Sequence, residues 1–370
     1  MATLSDLIPA LSLFTQLGRL APTQPLRTLF RTTGNKLRPP QLRLFAPTMR
    51  RAQDALLRSG QAGEHQRATI RWERSRGHRP TIVLGGFVPD ATEQVFLLRG
   101  FLLKSGSLYY FNYPPHGFSN EMLFAQLDDL VEELAELHGQ KPVIFAVSFG
   151  GGLLMEWLKR ARLTGRKVDL NGSIIISPVA CIDDLLAPGE AKPATLLGRA
   201  VQPYLDGPAT PKAVEKSRTI MLKMFEAGAQ NKEALRAIMS RGELHHLREA
   251  VMGTIRSVNL TGASERIHAL KQMEAPGGYF SQAILPLSDA PTLILYAEKE
   301  SSVLVDRSPT RFALEKAHHA YFPRSTCRLI TNQGGSPVQH ASLIFHCFNF
   351  LPAISSFYRQ LKSRKAWRHV

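Results

Sequence analysis

The sequence predicts an α/β fold: a mostly parallel central sheet with flanking helices, into which an all-helical cap is inserted. Two patterns and one composition argument predict it. From residue 66, short apolar runs of strand length alternate with segments of helix length. That alternation implies a parallel sheet with helices on both faces. Between residues 182 and 288 the alternation stops and only helix-like segments follow one another, before strand runs return. The 370 residues are 44% hydrophobic and 21% charged, enough to bury a sizeable core. This composition excludes a disordered, collagenous or coiled-coil chain, and no uncharged apolar run reaches the roughly 18 residues of a membrane-spanning helix.

The elements follow in order. Ala68 to Trp72 reads as a strand, and Thr81-Ile82-Val83-Leu84 as a short buried one stopped by Gly85-Gly86. Residues 91–104 read as a helix. Ser107 to Tyr113 is a strand ended by Pro114-Pro115. Ser119-Asn120-Glu121 opens a helix over 119–138, where Leu123, Leu127, Leu130, Val131 and Leu134 keep the helical period. Val143 to Val147 and Ser173 to Ile176 are buried strands. The inserted block reads as helices near 193–205, 210–227, 231–240, 243–257 and 262–273. Strands return at Thr292 to Tyr296 and Cys327 to Ile330, and a final helix is expected from His340 to Lys362. The organisation predicted is a basic N-terminal arm (1–65), a core (66–181 with 289–352), a helical cap (182–288) and a basic C-terminal tail (353–370).

The chain carries a net charge of +16. Residues 1–80 hold 14 Lys and Arg against 4 Asp and Glu, and residues 353–370 hold 5 basic and no acidic residues. The stretch between them is almost neutral. A nucleic-acid-binding fold carries its positive stripe on the body and shows a recognisable module, and neither is present, so nucleic acid is not the expected partner. The basic flanks suit peripheral contact with an anionic membrane or attraction of an acidic carrier, with solvation of the surface as the plainer account. Leu4 to Leu20 could lay one apolar face on a lipid surface. Cys181, Cys327 and Cys347 form no disulfide or zinc pattern. Together with a start that lacks a basic n-region, this places the chain in a reducing compartment. A cytoplasmic location is expected, with an organelle transit peptide in the arginine-rich segment from Arg19 to Arg51 as the alternative.

The sharpest chemical signal is Ala146-Val147-Ser148-Phe149-Gly150-Gly151-Gly152, which follows a buried strand and opens a helix. Small residues stand two positions to either side of Ser148, at Ala146 and Gly150, because a strand-to-helix turn this tight has no room for larger ones there. The turn presents the hydroxyl at the carboxyl edge of the sheet and leaves the Phe149 N–H at a helix N-terminus. A serine needs a base to act as a nucleophile. His340 lies in the loop after the last strand, on that same edge, and His116 in Pro-Pro-His-Gly-Phe-Ser is the competitor. The doublets His245/His246 and His318/His319 fall on helix-like segments, and His346 falls inside the expected final helix. The base needs an orienting carboxylate. Glu300 is four residues beyond the strand ending at Tyr296; Glu298, Asp306 and the pair Asp183/Asp184 are alternatives.

The order Ser148, Glu300, His340 resembles that of the α/β-hydrolase superfamily, in its serine-nucleophile branch with a helical cap, over about residues 80–350. Leu84-Gly85-Gly86-Phe87 looks like its oxyanion loop, with Gly85 where His is common. The resemblance implies an oxyanion hole built from the N–H groups of Phe87 and Phe149. Asn112 to Ser119 is similar to the Pro-Gly-His-Gly loop, which would make His116 a loop residue. Ala297-Glu298-Lys299-Glu300 resembles Gly-x-x-Asp, with Glu in place of Asp. The helical insertion falls where such proteins carry a cap. A serine nucleophile excludes the branches that use Asp and disfavours polyester synthases, which use Cys.

The expected activity is therefore hydrolysis of a carboxylic ester or thioester through an acyl-enzyme. The alternatives are an acyltransferase on the same residues and a non-catalytic ligand-binding protein. No cofactor and no metal is expected, because the chain has no GxxxxGK[ST], GxGxxG or HExxH motif. Apolar cap residues such as Ile220, Met221, Leu222, Met224, Phe225 and Ala250-Val251-Met252 suit either a small hydrophobic substrate or the cap's own core.

Overall fold

A strand buried on both faces must be covered twice, and the helices of this chain do so. The computed structural model describes residues 42–366, apart from Pro89, Ala191, 206–209, 229–240 and Gly334. The patch Leu4 to Leu20, the basic arm up to residue 41, the predicted helix at 231–240 and residues 367–370 lie outside the described residues.

In chain order the elements are β1 (Arg43–Leu44), α1 (Arg51–Arg58), β2 (Thr69–His78), β3 (Thr81–Leu84), α2 (Ala91–Gln94), α3 (Arg99–Leu102), β4 (Gly106–Asn112), α4 (Asn120–His138), β5 (Val143–Val147), α5 (Phe149–Leu163) and β6 (Gly172–Ile176). The inserted helical block, the expected cap, follows with α6 (Leu196–Val201), α7 (Pro211–Gly228), α8 (Arg241–Ser257) and α9 (Leu260–Lys271). The chain then returns through β7 (Thr292–Ala297), α10 (Pro309–Tyr321), β8 (Ser325–Ile330) and α11 (Cys347–Ala366).

The eight strands form one sheet in the order β1-β2-β4-β3-β5-β6-β7-β8. β1 and β2 pair antiparallel, as do β2 and β4, and every other pairing is parallel. Every residue of β3, β5, β6 and β7 is buried. Alternate side chains enter two cores. Ile82, Ile144, Ile175 and Ile294 join Leu127 and Leu130 of α4, Leu153 and Leu154 of α5 and Leu314 of α10 on one face. Val83, Phe145, Ile174 and Leu295 join Leu102 of α3 and Phe350, Ile354 and Phe357 of α11 on the other.

Local chemistry sets several boundaries. Ser119 caps α4 by accepting the Met122 N–H, and Gly139 ends that helix in the left-handed conformation. Thr195, Asn259 and Ser308 cap α6, α9 and α10 in the same way.

Three expectations about elements change. The helix at 91–104 is two short helices, because residues 95–98 tighten into i→i−3 turns. The last helix starts at Cys347 and not at His340; the intervening segment bends, with Ala341 at φ 46°, and Lys299 N–H on the Val338 carbonyl ties it to the loop after β7. The tail boundary at 353 falls inside α11, whose Ile354, Phe357, Tyr358 and Leu361 are core residues while Arg359 and Lys362 face solvent. A basic amphipathic helix reads as a tail only when its apolar stripe is overlooked.

The described part of the N-terminal arm packs on the body: β1 pairs with β2, and α1 lies on α4. Arg50, the residue before α1, supplies no side-chain cap. Instead Asp129 of α4 accepts the N–H groups of Ala52 (2.9 Å) and Gln53 (3.1 Å) and the Gln53 amide (2.9 Å). Glu133, one turn on, accepts the N–H groups of Thr48 and Met49. A neighbouring helix thus satisfies the first-turn donors that the local sequence leaves free.

Candidate active site

Ser148, Glu300 and His340 come from the carboxyl ends of β5, β7 and β8, and the structure brings them together. Parallel strands leave their following loops on one edge. β5 lies beside β3, where the strand order reverses, so its loop opens into a crevice.

Ser148 has φ 52° and ψ −117°, a conformation that costs a non-glycine residue about 1–3 kcal/mol. Its neighbours hold it there. The Ser148 N–H donates to the Ile176 carbonyl (2.8 Å), and the Ser148 carbonyl accepts from Val179 (3.0 Å). The glycines that follow are required by close approach. A Cβ on Gly150 would lie 2.5 Å from the Gly85 carbonyl oxygen, and one on Gly152 would lie 2.0 Å from that of Val179. Helix α5 can start here only without those side chains.

His340 Nε2 lies 2.9 Å from Ser148 Oγ, and His340 Nδ1 makes a short hydrogen bond to Glu300 Oε2. Glu300 is 2% exposed. Its Oε1 accepts from Ser177 Oγ (2.7 Å) and from the Ala297 N–H (2.6 Å). Burial pushes the Glu300 carboxyl up, but the His340 ring and these donors outweigh it, and the net direction is below the ordinary carboxylate value. Glu300 is therefore ionised across the neutral range. A carboxylate on Nδ1 fixes the imidazole so that Nε2 accepts the serine proton.

The other candidates lie elsewhere. His116 is exposed beside α9. Glu298 and Asp306 are exposed, and Glu298 accepts from the Asn332 N–H. Asp184 is fully buried, with its carboxylate taken up by Ala180, Cys181, Ser308 and Thr310. His346 is buried just ahead of α11, with Nδ1 on Ser342. Among the described residues, no group of three or more His, Cys, Asp and Glu is placed to hold a metal ion. No described helix is long and apolar enough to cross a membrane.

Phe87 and Phe149 also meet: their rings stack with centroids 4.3 Å apart and 8° between planes. Among the described residues neither N–H has a protein partner. Gly86 touches Ser148, since a Cβ there would lie 3.3 Å from Ser148 Cβ. Sequence reasoning missed Gln94. It is 6% exposed, lines the cavity at Ser148, and accepts the Gly86 N–H on Oε1 at 2.9 Å. Nothing local marked it, because its partner is eight residues away across the turn.

A cavity of about 170 Å³ opens at Ser148 and His340. Met221, Met224 and Phe225 of α7 and Val251 and Ile255 of α8 form its cap side. A second cavity of about 60 Å³ shares Phe87, Val88, Met221 and Ile255 with it and runs on between Val201, Val214 and Ile267. The apolar cap residues read from the sequence thus divide: Met221, Met224, Phe225 and Val251 line the cavity, while Ile220 and Leu222 pack against the cores.

Beside Gln94, burial and the nearby Asp90 charge push the Glu93 carboxyl up to about 7. The folded chain then holds a proton that the unfolded chain releases above pH 4.5. Stability should fall as pH rises from that value toward 7, by on the order of 3 kcal/mol. Glu93→Gln is expected to flatten this slope in urea unfolding followed across pH; an unchanged slope would rule the account out.

No family model matches the sequence, and no curated protein matches it. Solved structures do. An esterase from Exiguobacterium antarcticum aligns at a TM-score of 0.54 and 15% identity, covering 79% of this chain and 96% of its own. A bromoperoxidase from Bacillus anthracis aligns at 0.53 and 18% identity over 79% and 96%. An esterase from a Rhodococcus species aligns at 0.52 and 16% identity over 80% and 96%. At these identities the likeness is one of fold.

Proposed function

We propose that this chain, which has the α/β-hydrolase fold, is a serine hydrolase that cleaves carboxylic esters or thioesters of hydrophobic acids. The observation that carries the reading is the hydrogen-bonded chain from Ser148 through His340 to Glu300, opening on an apolar cavity. Structural neighbours named as esterases support it.

In this reading His340 Nε2 takes the Ser148 proton as Oγ attacks the carbonyl carbon. The negative charge moves to the carbonyl oxygen, where the free N–H groups of Phe87 and Phe149 receive it. The C–O or C–S bond then breaks, and His340 returns the proton to the leaving group. Water, activated by the same imidazole, releases the acid and restores Ser148. The methionines and Phe225 of the cap favour an apolar acyl chain, and thioether side chains adapt to its shape.

The test is labelling by a fluorophosphonate, followed by a p-nitrophenyl ester series of increasing acyl length. Labelling should fall on Ser148, and kcat/KM should rise from acetyl toward longer chains until the two cavities are filled. Folded wild-type protein that takes no label would defeat the enzyme reading and leave a ligand-binding protein. Product formed on an added alcohol or thiol in preference to water would make it an acyltransferase.

A further inference from the structure

The turn Gly85 to Phe87 is held at three of its polar groups. Tyr113 Oη donates to the Gly85 carbonyl at 2.9 Å. Gln94 Oε1 accepts the Gly86 N–H at 2.9 Å. Arg266 Nη1 donates to the Phe87 carbonyl at 2.6 Å. The first two partners belong to the sheet domain, whereas Arg266 sits on the cap helix α9. Among the described residues the Phe87 N–H has no protein partner.

Arg266 is an expensive residue for this place. It is 4% exposed, and no carboxylate lies within ion-pair distance of it among the described residues. Its guanidinium is satisfied instead by main-chain carbonyls: Phe87, Pro114 (3.0 Å) and Tyr113 (3.5 Å), with the Tyr113 ring 5.7 Å away. Among the described residues its Nε has no hydrogen-bond partner. Burying an arginine with only the more distant charges of Asp90 and Glu265 to offset it costs several kcal/mol, and an apolar residue would pack there at lower cost. The same stretch of α9 grips the next loop as well. Glu265 accepts the N–H groups of Gly117 (2.5 Å) and Phe118 (3.0 Å), and a Cβ on Gly262 would lie 1.8 Å from the Pro115 carbonyl oxygen.

We propose that Arg266 is a positioning residue: by holding the Phe87 carbonyl it aims the Phe87 N–H at the developing oxyanion, so that seating the cap completes the active site. The catalytic half of this proposal rests on the hydrolase reading above. The coupling of α9 to the turn does not. A cap lifted from the sheet would leave Ser148, His340 and Glu300 in place while the turn lost its third anchor. Turnover would then depend on cap closure over the substrate, and an open enzyme would be poor at activating its carbonyl.

Three variants test it. Arg266→Met is expected to lower kcat by about 10²-fold with KM changed only a few-fold, because the lost interaction belongs to the transition state. A trifluoromethyl ketone, which forms a tetrahedral adduct, should bind more weakly by the same factor. Arg266→Lys, which keeps one donor, should fall between. Arg199→Met is the control: Arg199 also bonds cap carbonyls, those of Pro193 and Ala194, but away from the turn. It should lower the melting temperature without changing ketone affinity. Amide hydrogen exchange of the 84–88 segment supplies a readout that needs no substrate, and Arg266→Met should speed it relative to Arg199→Met. A folded Arg266→Met with wild-type kcat and ketone affinity would overturn the proposal. So would unchanged exchange in that segment, whatever the activity. If Arg266→Met does not fold, Arg266→Lys with wild-type ketone affinity is the overturning result. Wild-type protein without turnover would instead sink the hydrolase reading, and the exchange comparison would still decide whether Arg266 holds the turn.

Discussion

Ser148→Ala is expected to lower turnover of an activated ester by about 10³-fold or more, with the fold unchanged. The size follows from what is removed. Ser148 holds a strained backbone conformation only to present Oγ to His340 Nε2 at 2.9 Å. Without Oγ the acyl-enzyme route closes, and what remains is the weaker help of the Phe87 and Phe149 N–H groups to attack by water. His340→Ala should cost as much. Glu300→Gln should cost about 10²–10⁴-fold, because an amide can still accept from Ser177 and Ala297 while turning an N–H toward His340 Nδ1, which favours the wrong tautomer. Ser148→Ala combined with Glu300→Gln should be no worse than Ser148→Ala alone, since residues that act as a unit are not additive. Steady-state kinetics with a p-nitrophenyl ester measures all four. A Ser148→Ala protein keeping a tenth of wild-type activity would refute the assignment.

The largest stability effect is expected at Asp184. Asp184→Ala should destabilise the fold by about 3–5 kcal/mol. The carboxylate is fully buried and serves two segments far apart in sequence. Oδ2 accepts from the N–H groups of Ala180 and Cys181 and from Thr310 Oγ1, and Oδ1 accepts from Ser308 Oγ and the Thr310 N–H. It thereby fastens the loop leaving β6, where the cap begins, to the first turn of α10. Removing it leaves several buried donors without partners, each costing about 1–3 kcal/mol before relaxation. Asp184→Asn should cost less, because the shape and one acceptor remain. Urea unfolding reads both, and a loss below about 1 kcal/mol for Asp184→Ala would contradict the account.

Asp184 also shows why site reading from sequence has a limit. It follows a strand end on the catalytic edge, as a triad acid can, and the chemistry of an aspartate does not reveal its partners. Ser308 and Thr310, more than 120 residues on, take it up, so it organises structure rather than a histidine. Glu300 was readable because it lies three residues beyond the buried strand β7, and His340 because it lies in the loop after the last strand, and parallel strands deliver their following loops to one edge. Gln94 and Arg266 were not readable. Each acts on the turn Gly85 to Phe87 through a single side chain, and no periodicity or local spacing encodes that contact.

Taken alone, the amino-acid sequence determined the class of fold, the strands β3 and β5 to the residue and the inserted block of helices, and it put Ser148, Glu300 and His340 forward for one edge of the sheet. These rest on local rules: apolar period, capping residues, and glycine where a strand turns abruptly into a helix. The tertiary structure decided what depends on distant partners. It decided that Asp129 caps α1, that Glu133 holds the segment just before it, that the apolar stripe of α11 belongs to the core, and that Met221 and Phe225 line a cavity while Leu222 does not. It also decided that Arg266 of the inserted helices donates to the Phe87 carbonyl in the turn beside Ser148. Burial and hydrogen bonding are properties of a place in the fold, and a residue acquires them only when the chain closes around it.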